Sequence, residues 1–418
     1  MNIPSKIGIA VALIAIHWYY FNVCCYKNLP KIMGGYADTQ FKLVEDTFRQ
    51  NIDDGIETGA AFAVFYKGKP VVDLWGGYAD RTVQIPWRND TLTVIFSASK
   101  GVAAILLAKF VEKGYLDYKQ RVSHYWPEFA QNNKEAITVE MLVNHQAGLN
   151  AFDKPLELSL ISSDYERFIS ILAAQKPNWI PGTQSGYHAF TFGLYVDVLL
   201  TKVDPLKRSI EQIYQEEIMM PFGIDFYQGL PYSEHYRAAP QVVDKHWWEY
   251  LTSYQNILNF ITLITFTNEN LMKTIETLKF GPLTDREVRR LPCSSFNGYS
   301  TARALAKLYG NLVNTGNNKG KDILSKPTVE LLDKVLINGT DAVLKFEIAW
   351  SVGLMKIPVP TGKYVFGHLG YGGQLAFGDK EKNIGVAYIT NHLDPVSLQD
   401  DYRWKTLLDA VYKSLEAI

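Results

Sequence analysis

Cysteine is nearly absent from this sequence of 418 residues: there are 3, and Cys24 and Cys25 are neighbours inside an apolar stretch. Only Cys293 remains for the body of the chain, which excludes a disulfide framework within a folded domain. A surplus of either charge is also missing, with 42 Lys and Arg against 43 Asp and Glu and a net charge of −1. The basic residues are scattered, so the electrostatic footprint of a nucleic-acid-binding protein is absent. There is no internal repeat, no low-complexity run, no phosphate-cradling glycine loop and no Cys/His spacing of a metal site. Of 8 histidines only His145, His188 and His368 fall in motif-like segments, far apart in the chain, and neither a metal nor another cofactor is expected. What the chain has in quantity is apolar residues, 47% against 20% charged, an ordinary globular composition. Its length exceeds the about 250–300 residues at which a single core stops growing, so two lobes are expected.

The stretch with most chemistry in it is Ser97-Ala98-Ser99-Lys100. It sets a hydroxyl one helical turn from an amine at the start of the apolar run 99–110 (SKGVAAILLAKF). Residues three apart share a helix face, and the helix N-terminus directs its dipole and free N–H groups at Ser97, favouring an oxyanion there. Burial depresses a lysine pKa and makes the amine a base. A bare Ser-x-x-Lys arises by chance about once or twice in a chain of this length, so two further segments matter. Residues 181–189 (PGTQSGYHA) read as a Pro/Gly-punctuated loop delivering Tyr187 and His188 ahead of the helix-like run 192–200. Residues 366–374 (FGHLGYGGQ) carry the small side chains a strand needs where a substrate lies along its edge.

Taken in order, Ser-x-x-Lys, Tyr and His-x-Gly resemble the serine β-lactamase and penicillin-binding-protein superfamily. The closer resemblance is to its class C-like esterase branch and to the animal β-lactamase domain-containing proteins. Further stretches share it, among them Gly114-Tyr115-Leu116-Asp117, Asn144-His145-Gln146-Ala147-Gly148-Leu149 and Ser295-Phe296-Asn297-Gly298, so that it spans roughly residue 35 to 418. The resemblance implies a serine hydrolase that cleaves a small-molecule ester or amide through an acyl-Ser97 intermediate. Ser97 would be the nucleophile rather than a helix cap, and Lys100 its base or hydrogen-bond partner rather than part of a solvated face. Tyr187 would hold or relay the proton to the leaving group; otherwise it is a buried aromatic. His368 stands where many relatives have lysine, and would orient the substrate or assist Tyr187. The N–H of Tyr371, next to Gly370, would pair with that of Ser97 as an oxyanion hole, and His145 would support a loop. One departure is informative: penicillin-recognising relatives usually read Tyr-x-Asn where this chain has Tyr187-His188-Ala189. A methyl group cannot replace the amide that holds an acylamide, so ester hydrolysis is favoured over β-lactam cleavage. The alternatives are a peptidase of the same fold and a catalytically silent binding or structural protein.

The expected architecture is α+β. β-rich runs at 60–66 and 71–75 flank a turn at 67–70, and further strands are expected at 346–355, 364–366, 374–377 and 384–389, followed by a helix over 404–415. Residues 34–100 and 301–418 would form an antiparallel sheet flanked by terminal helices, and 101–300 an inserted, mostly helical lobe, with the groove between them. Residues 1–33 form a separate segment. Within it 7–26 is free of charge and about 20 residues long, the length that crosses a bilayer, which predicts a single-pass membrane anchor. A cleaved signal peptide and a buried helix are the competitors. Asn89-Asp90-Thr91 and Asn338-Gly339-Thr340 are glycosylation sequons and favour a lumenal or extracellular, or secreted, catalytic domain. Residues 246–280, rich in aromatic and β-branched side chains, read as a helical pair: a lid, a second membrane contact or a helix packed into the inserted lobe.

Overall fold

The structure is a computed structural model and describes residues 12, 13, 16, 29–242, 268–394 and 401–418. Both ends of the described chain feed one antiparallel sheet. From the N-terminal side come β1 (Met33–Ala37), β2 (Gly59–Tyr66), β3 (Lys69–Asp80) and the short β4 (Ile85–Pro86). From the C-terminal side come β5 (Ile337–Thr340), β6 (Glu347–Ser351), β7 (Leu354–Pro358), β8 (Tyr364–Gly370), β9 (Gln374–Asp379) and β10 (Ile384–Thr390). Their order is β1-β3-β2-β10-β9-β8-β7-β6-β5, with β4 paired to β3. The two ends meet where β10 runs against β2, from Ile384 opposite Tyr66 to Thr390 opposite Ala60. The expected hairpin is present: Lys67 and Gly68 both have positive φ (50° and 74°), the two-residue turn whose twist matches that of its strands.

Alternation along β2 sorts the sheet into two faces. Ala60, Phe62 and Val64 join one core with Phe41, Phe48 and the buried side chains Trp404, Leu407 and Val411. That face is covered by α1 (Lys42–Asp53) and, at the other end of the chain, by the helix Tyr402–Glu416. Ala61, Ala63 and Phe65 face a second core with α2 (Ala98–Glu112), α3 (Thr191–Val203) and α4 (Ala302–Val313). The helix Tyr402–Glu416 is α5. Because α2 is apolar on every side and buried from Ala98 to Ala108, it lies at the centre of the molecule rather than on a surface.

The stretch 346–355 departs from the expected single strand. β6 stops at Ser351, Val352 and Gly353 (φ 30° and 90°) make a turn, and β7 returns antiparallel. The apolar continuity hid this turn because it is buried: Val352 has no exposed surface, and the Gly353 N–H donates to Asn144 Oδ1 at 3.1 Å. The strands β1 and β5 were not legible from periodicity alone, whereas α1, whose Val44, Phe48 and Ile52 recur every fourth residue on its buried face, supplies the N-terminal one of the expected flanking helices. Between β4 and β5 the regular elements among the described residues are mostly helices, with a small sheet of Thr93–Val94, Gly298–Ser300 and Phe226–Gln228. Asn89 and Asn338, the sequon asparagines, are exposed. The 7–26 segment lies outside the described residues except for Ala12, Leu13 and Ile16. Among the described residues no helix is long and apolar enough to cross a membrane. Of 246–280 only 268–280 is described, and it is a helix, Glu269–Ile275, and a short strand, Leu278–Lys279, pairing with Leu156–Glu157.

Candidate active site

Three elements meet at Ser97. α2 brings Ser97 and Lys100, the loop ahead of α3 brings Tyr187, and the end of β8 brings His368. Ser97 is at the N-cap of α2 yet makes no side-chain capping bond, so its hydroxyl is not spent on the helix. Phe96, just before it, has φ 46°, the left-handed region that costs a bulky residue energy and clusters at functional sites. Ser99, two residues on, is fully buried, and its Oγ accepts the Gly298 N–H at 3.0 Å. Of the two serines in the motif, only Ser97 is free for chemistry.

Lys100 has no surface exposed to solvent, and its Nζ donates to three oxygens. They are Ser97 Oγ at 3.1 Å, Ala189 O at 2.7 Å and Ser295 O at 2.7 Å. Burial pushes the amine down to about 7. In the neutral form two N–H bonds satisfy the two carbonyls and the lone pair is left facing Ser97, the arrangement a base requires. Burial is the largest effect on Tyr187 and raises its phenol above the usual value, although the Ser97 hydroxyl near it favours the ionised form. A phenol so raised stays protonated near neutral pH, which leaves the amine as the group able to take a proton. The phenol ring also lies 5.0 Å from Lys100 Nζ.

Tyr187 is held on several sides. It stacks on Trp350 of β6 (centroids 5.8 Å, 11°) and meets His145 edge-on at 5.1 Å. Its backbone N–H donates to Asp341 Oδ1 at 3.0 Å, and the same oxygen accepts from the N–H groups of Val343 and Leu344. His188 points away from the serine, accepting the Leu149 N–H at Nε2 and donating through Nδ1 to Gly186 O. His145 Nδ1 accepts the His188 N–H at 3.1 Å, a contact of the kind expected of a residue that supports a loop.

His368 is buried, with Nδ1 donating to Leu369 O at 2.6 Å, which leaves a lone pair on Nε2. Nε2 has no hydrogen-bond partner among the described residues, and the ring centroid is 6.2 Å from that of Tyr187. Burial, with the Lys100 charge second, lowers this imidazole to about 3, so it is neutral at physiological pH and cannot supply the positive charge of a lysine. β7 pairs with β8 only as far as Gly367, so the edge of His368-Leu369-Gly370 on that side carries no strand partner. A Cβ on Gly370 would lie 2.3 Å from Ile95 O, so only glycine lets the strand end press against the segment leading to Ser97. The Phe96 and Tyr371 rings meet edge to face at 5.5 Å across this contact. Sequence reasoning had no signal for the carbonyls of Ala189 and Ser295 or for Asp341 and Trp350. The carbonyls act through the backbone, and Asp341 and Trp350 act only by holding Tyr187.

Comparison with known proteins is consistent with this geometry. The Beta-lactamase family model matches residues 44–410. The esterase/beta-lactamase LipL of Mycobacterium tuberculosis is 30% identical over 376 residues, 88% of this chain and 85% of that protein. The structure of a family VIII carboxylesterase superposes with a TM-score of 0.81 at 32% identity, covering 91% of this chain and 99% of that one. A penicillin-binding protein homologue from Caulobacter crescentus gives 0.79 at 35% identity, over 91% and 99% of the two chains.

Proposed function

From the premise that this chain belongs to the beta-lactamase family and is a serine hydrolase acting through an acyl-enzyme, we propose that Ser97 is the nucleophile and Lys100 the base that activates it. The observation that carries this reading is the triple contact of Lys100 Nζ, with two carbonyls on one side and the Ser97 hydroxyl on the other. Ser97 Oγ attacks the substrate carbonyl while its proton passes to Lys100 Nζ. The oxyanion is held by the N–H groups of Ser97 and Tyr371, neither of which has a backbone acceptor among the described residues. Collapse of the tetrahedral intermediate breaks the bond to the leaving alkoxide, which takes up a proton through the Tyr187 hydroxyl. Water then attacks the acyl-Ser97 ester, and the proton returns by the same groups. His368 Nε2 is an acceptor on the Tyr187 side, for the phenol or a substrate N–H or O–H, and not an anion clamp.

The proposed substrate is a short ester. Ala189 offers a methyl group and a carbonyl already taken by Lys100, so nothing there holds an acylamide. The test is covalent labelling with a fluorophosphonate followed by peptide mapping: the adduct is expected on Ser97 and is lost in Ser97→Ala. An adduct on Ser99, or one that survives in Ser97→Ala, overturns the assignment. In the same preparation a short-chain aryl ester should exceed a cephalosporin in kcat/KM by at least about 10²-fold, the discrimination typical of a missing polar contact. Equal turnover of the two would contradict the substrate class.

A further inference from the structure

On the opposite side of β8 from Lys100, the turn that carries Tyr371 rests on a buried ion pair from the far end of the chain. Arg403, in the first turn of α5, is 2% exposed, and Asp401 beside it has no exposed surface. Arg403 Nε donates to Asp401 Oδ1 at 2.9 Å and Nη2 to Asp401 Oδ2 at 2.5 Å. The rest of the guanidinium serves two backbone carbonyls: Nη2 donates to Gly372 O at 2.8 Å and Nη1 to His392 O at 2.6 Å. The Asp394 N–H also donates to Gly372 O, at 3.2 Å. A Cβ on Gly373 would lie 2.3 Å from Arg403 Nη2 and 2.5 Å from Asp401 Oδ2, so the ion pair is pressed against the backbone of the turn.

Burying two charges costs several kcal/mol each and is offset only when geometry and further hydrogen bonds are good. Well-packed apolar residues of similar volume would serve stability as well. What they could not do is aim donors at two carbonyls, one of them in the peptide group two residues beyond the Gly370–Tyr371 amide. The turn's other restraints are the Gly373 N–H on Gly370 O at 3.3 Å, the Asp394 N–H on Gly372 O and the Phe96–Tyr371 ring contact, and Gly372 and Gly373 both have positive φ (79° and 114°), so among the described residues the guanidinium supplies its one bond from a charged donor.

We propose that Arg403, fixed by Asp401, is the positioning residue of the oxyanion hole: by holding the Gly372 carbonyl it sets the direction of the Tyr371 N–H. The inference rests on the assignment of that N–H to the oxyanion made above. A misdirected donor weakens binding of the tetrahedral state and leaves the ground state almost untouched.

The experiment measures kcat and KM for a short aryl ester, per active site titrated with fluorophosphonate, in wild type, Arg403→Met, Arg403→Lys and Trp404→Phe. An alkyl boronic acid, which forms a tetrahedral adduct on the serine, is titrated in parallel. Arg403→Met should lower kcat per titrated site about 10- to 100-fold, less than loss of a whole oxyanion donor, and weaken the boronic acid by a similar factor with KM within about threefold. Arg403→Lys, which keeps a cation against Asp401 but loses the fork, should fall between. Trp404→Phe, in the same buried turn but in the sheet core, should lower thermal stability without moving kcat. If Arg403→Met does not fold, Arg403→Lys decides. Both kcat and boronic acid affinity within about twofold of wild type, with Ser97 still the labelled residue, overturn this inference alone. A wild-type adduct on any residue other than Ser97 overturns the catalytic reading and this inference with it.

Discussion

Lys100 and Lys134 have the same burial and different tasks. Each has no surface exposed to solvent, and each hands protons to two backbone carbonyls: Ala189 and Ser295 for Lys100, Ala173 and Gln175 for Lys134. Burial pushes both amines down, to about 7 and about 8. Each even has an aromatic ring within about the same distance, Tyr187 at 5.0 Å and Phe129 at 5.1 Å. Lys134 closes the C-terminal end of the helix Tyr165–Ala174, a structural duty. Lys100 differs in its third acceptor, the Ser97 hydroxyl at 3.1 Å. A depressed pKa therefore does not by itself set Lys100 apart as the proposed base; what sets it apart is a depressed pKa together with the Ser97 hydroxyl beside the amine.

The sharpest way to break this comparison is to remove each amine while keeping its stem. Lys100→Met should lower kcat/KM for an aryl ester by at least about 10³-fold, as loss of a member of a catalytic unit does. A loss below about tenfold would make Lys100 another Lys134. The pH profile sharpens it further. With the folded amine at about 7, the neutral base accumulates as pH rises, so kcat/KM should climb through about pH 7 to a plateau. A profile flat from pH 5 to 9 would remove the base. The smallest effect belongs to Lys134→Met: kcat/KM should stay within about twofold of wild type, while two unserved carbonyls cost about 1–3 kcal/mol in chemical unfolding. The sign of the pH linkage is a second readout. Because Lys134 is lowered from its ordinary value to about 8, the unfolded chain binds the extra proton between about pH 8 and 10.5, and stability contributed there rises with pH. That rise should shrink in Lys134→Met and leave the rate profile alone.

Legibility of the site follows from which atoms do the chemistry. The roles proposed for Ser97, Lys100, Tyr187 and His368 use side chains in short, spaced motifs. The proposed oxyanion donors are backbone atoms and were reachable only through resemblance. Nothing in the spacing marked Asp341, which steadies Tyr187 through its main chain, or Arg403, which reaches the Gly372 carbonyl from the far end of the chain. In the fold, β2 was legible as a short apolar run ended by the Lys67-Gly68 turn. The β6–β7 turn was not, because its first residue is the β-branched Val352, at φ 30°, and its one turn-favouring residue, Gly353, is held by a long-range bond from its N–H to Asn144 Oδ1.

The pairing of β2 with β10 has a consequence in time. Ribosomes add about 5–20 residues per second, so the chain waits on the order of tens of seconds between the emergence of Lys100 and that of the strand which joins the sheet. For most of that interval α2, apolar on every side, lacks β8, which packs against it in the folded protein, while α1 and β2, made earlier still, lack α5 and β10. Apolar surface on the helix that carries Ser97 therefore stays uncovered during synthesis until the C-terminal strands emerge.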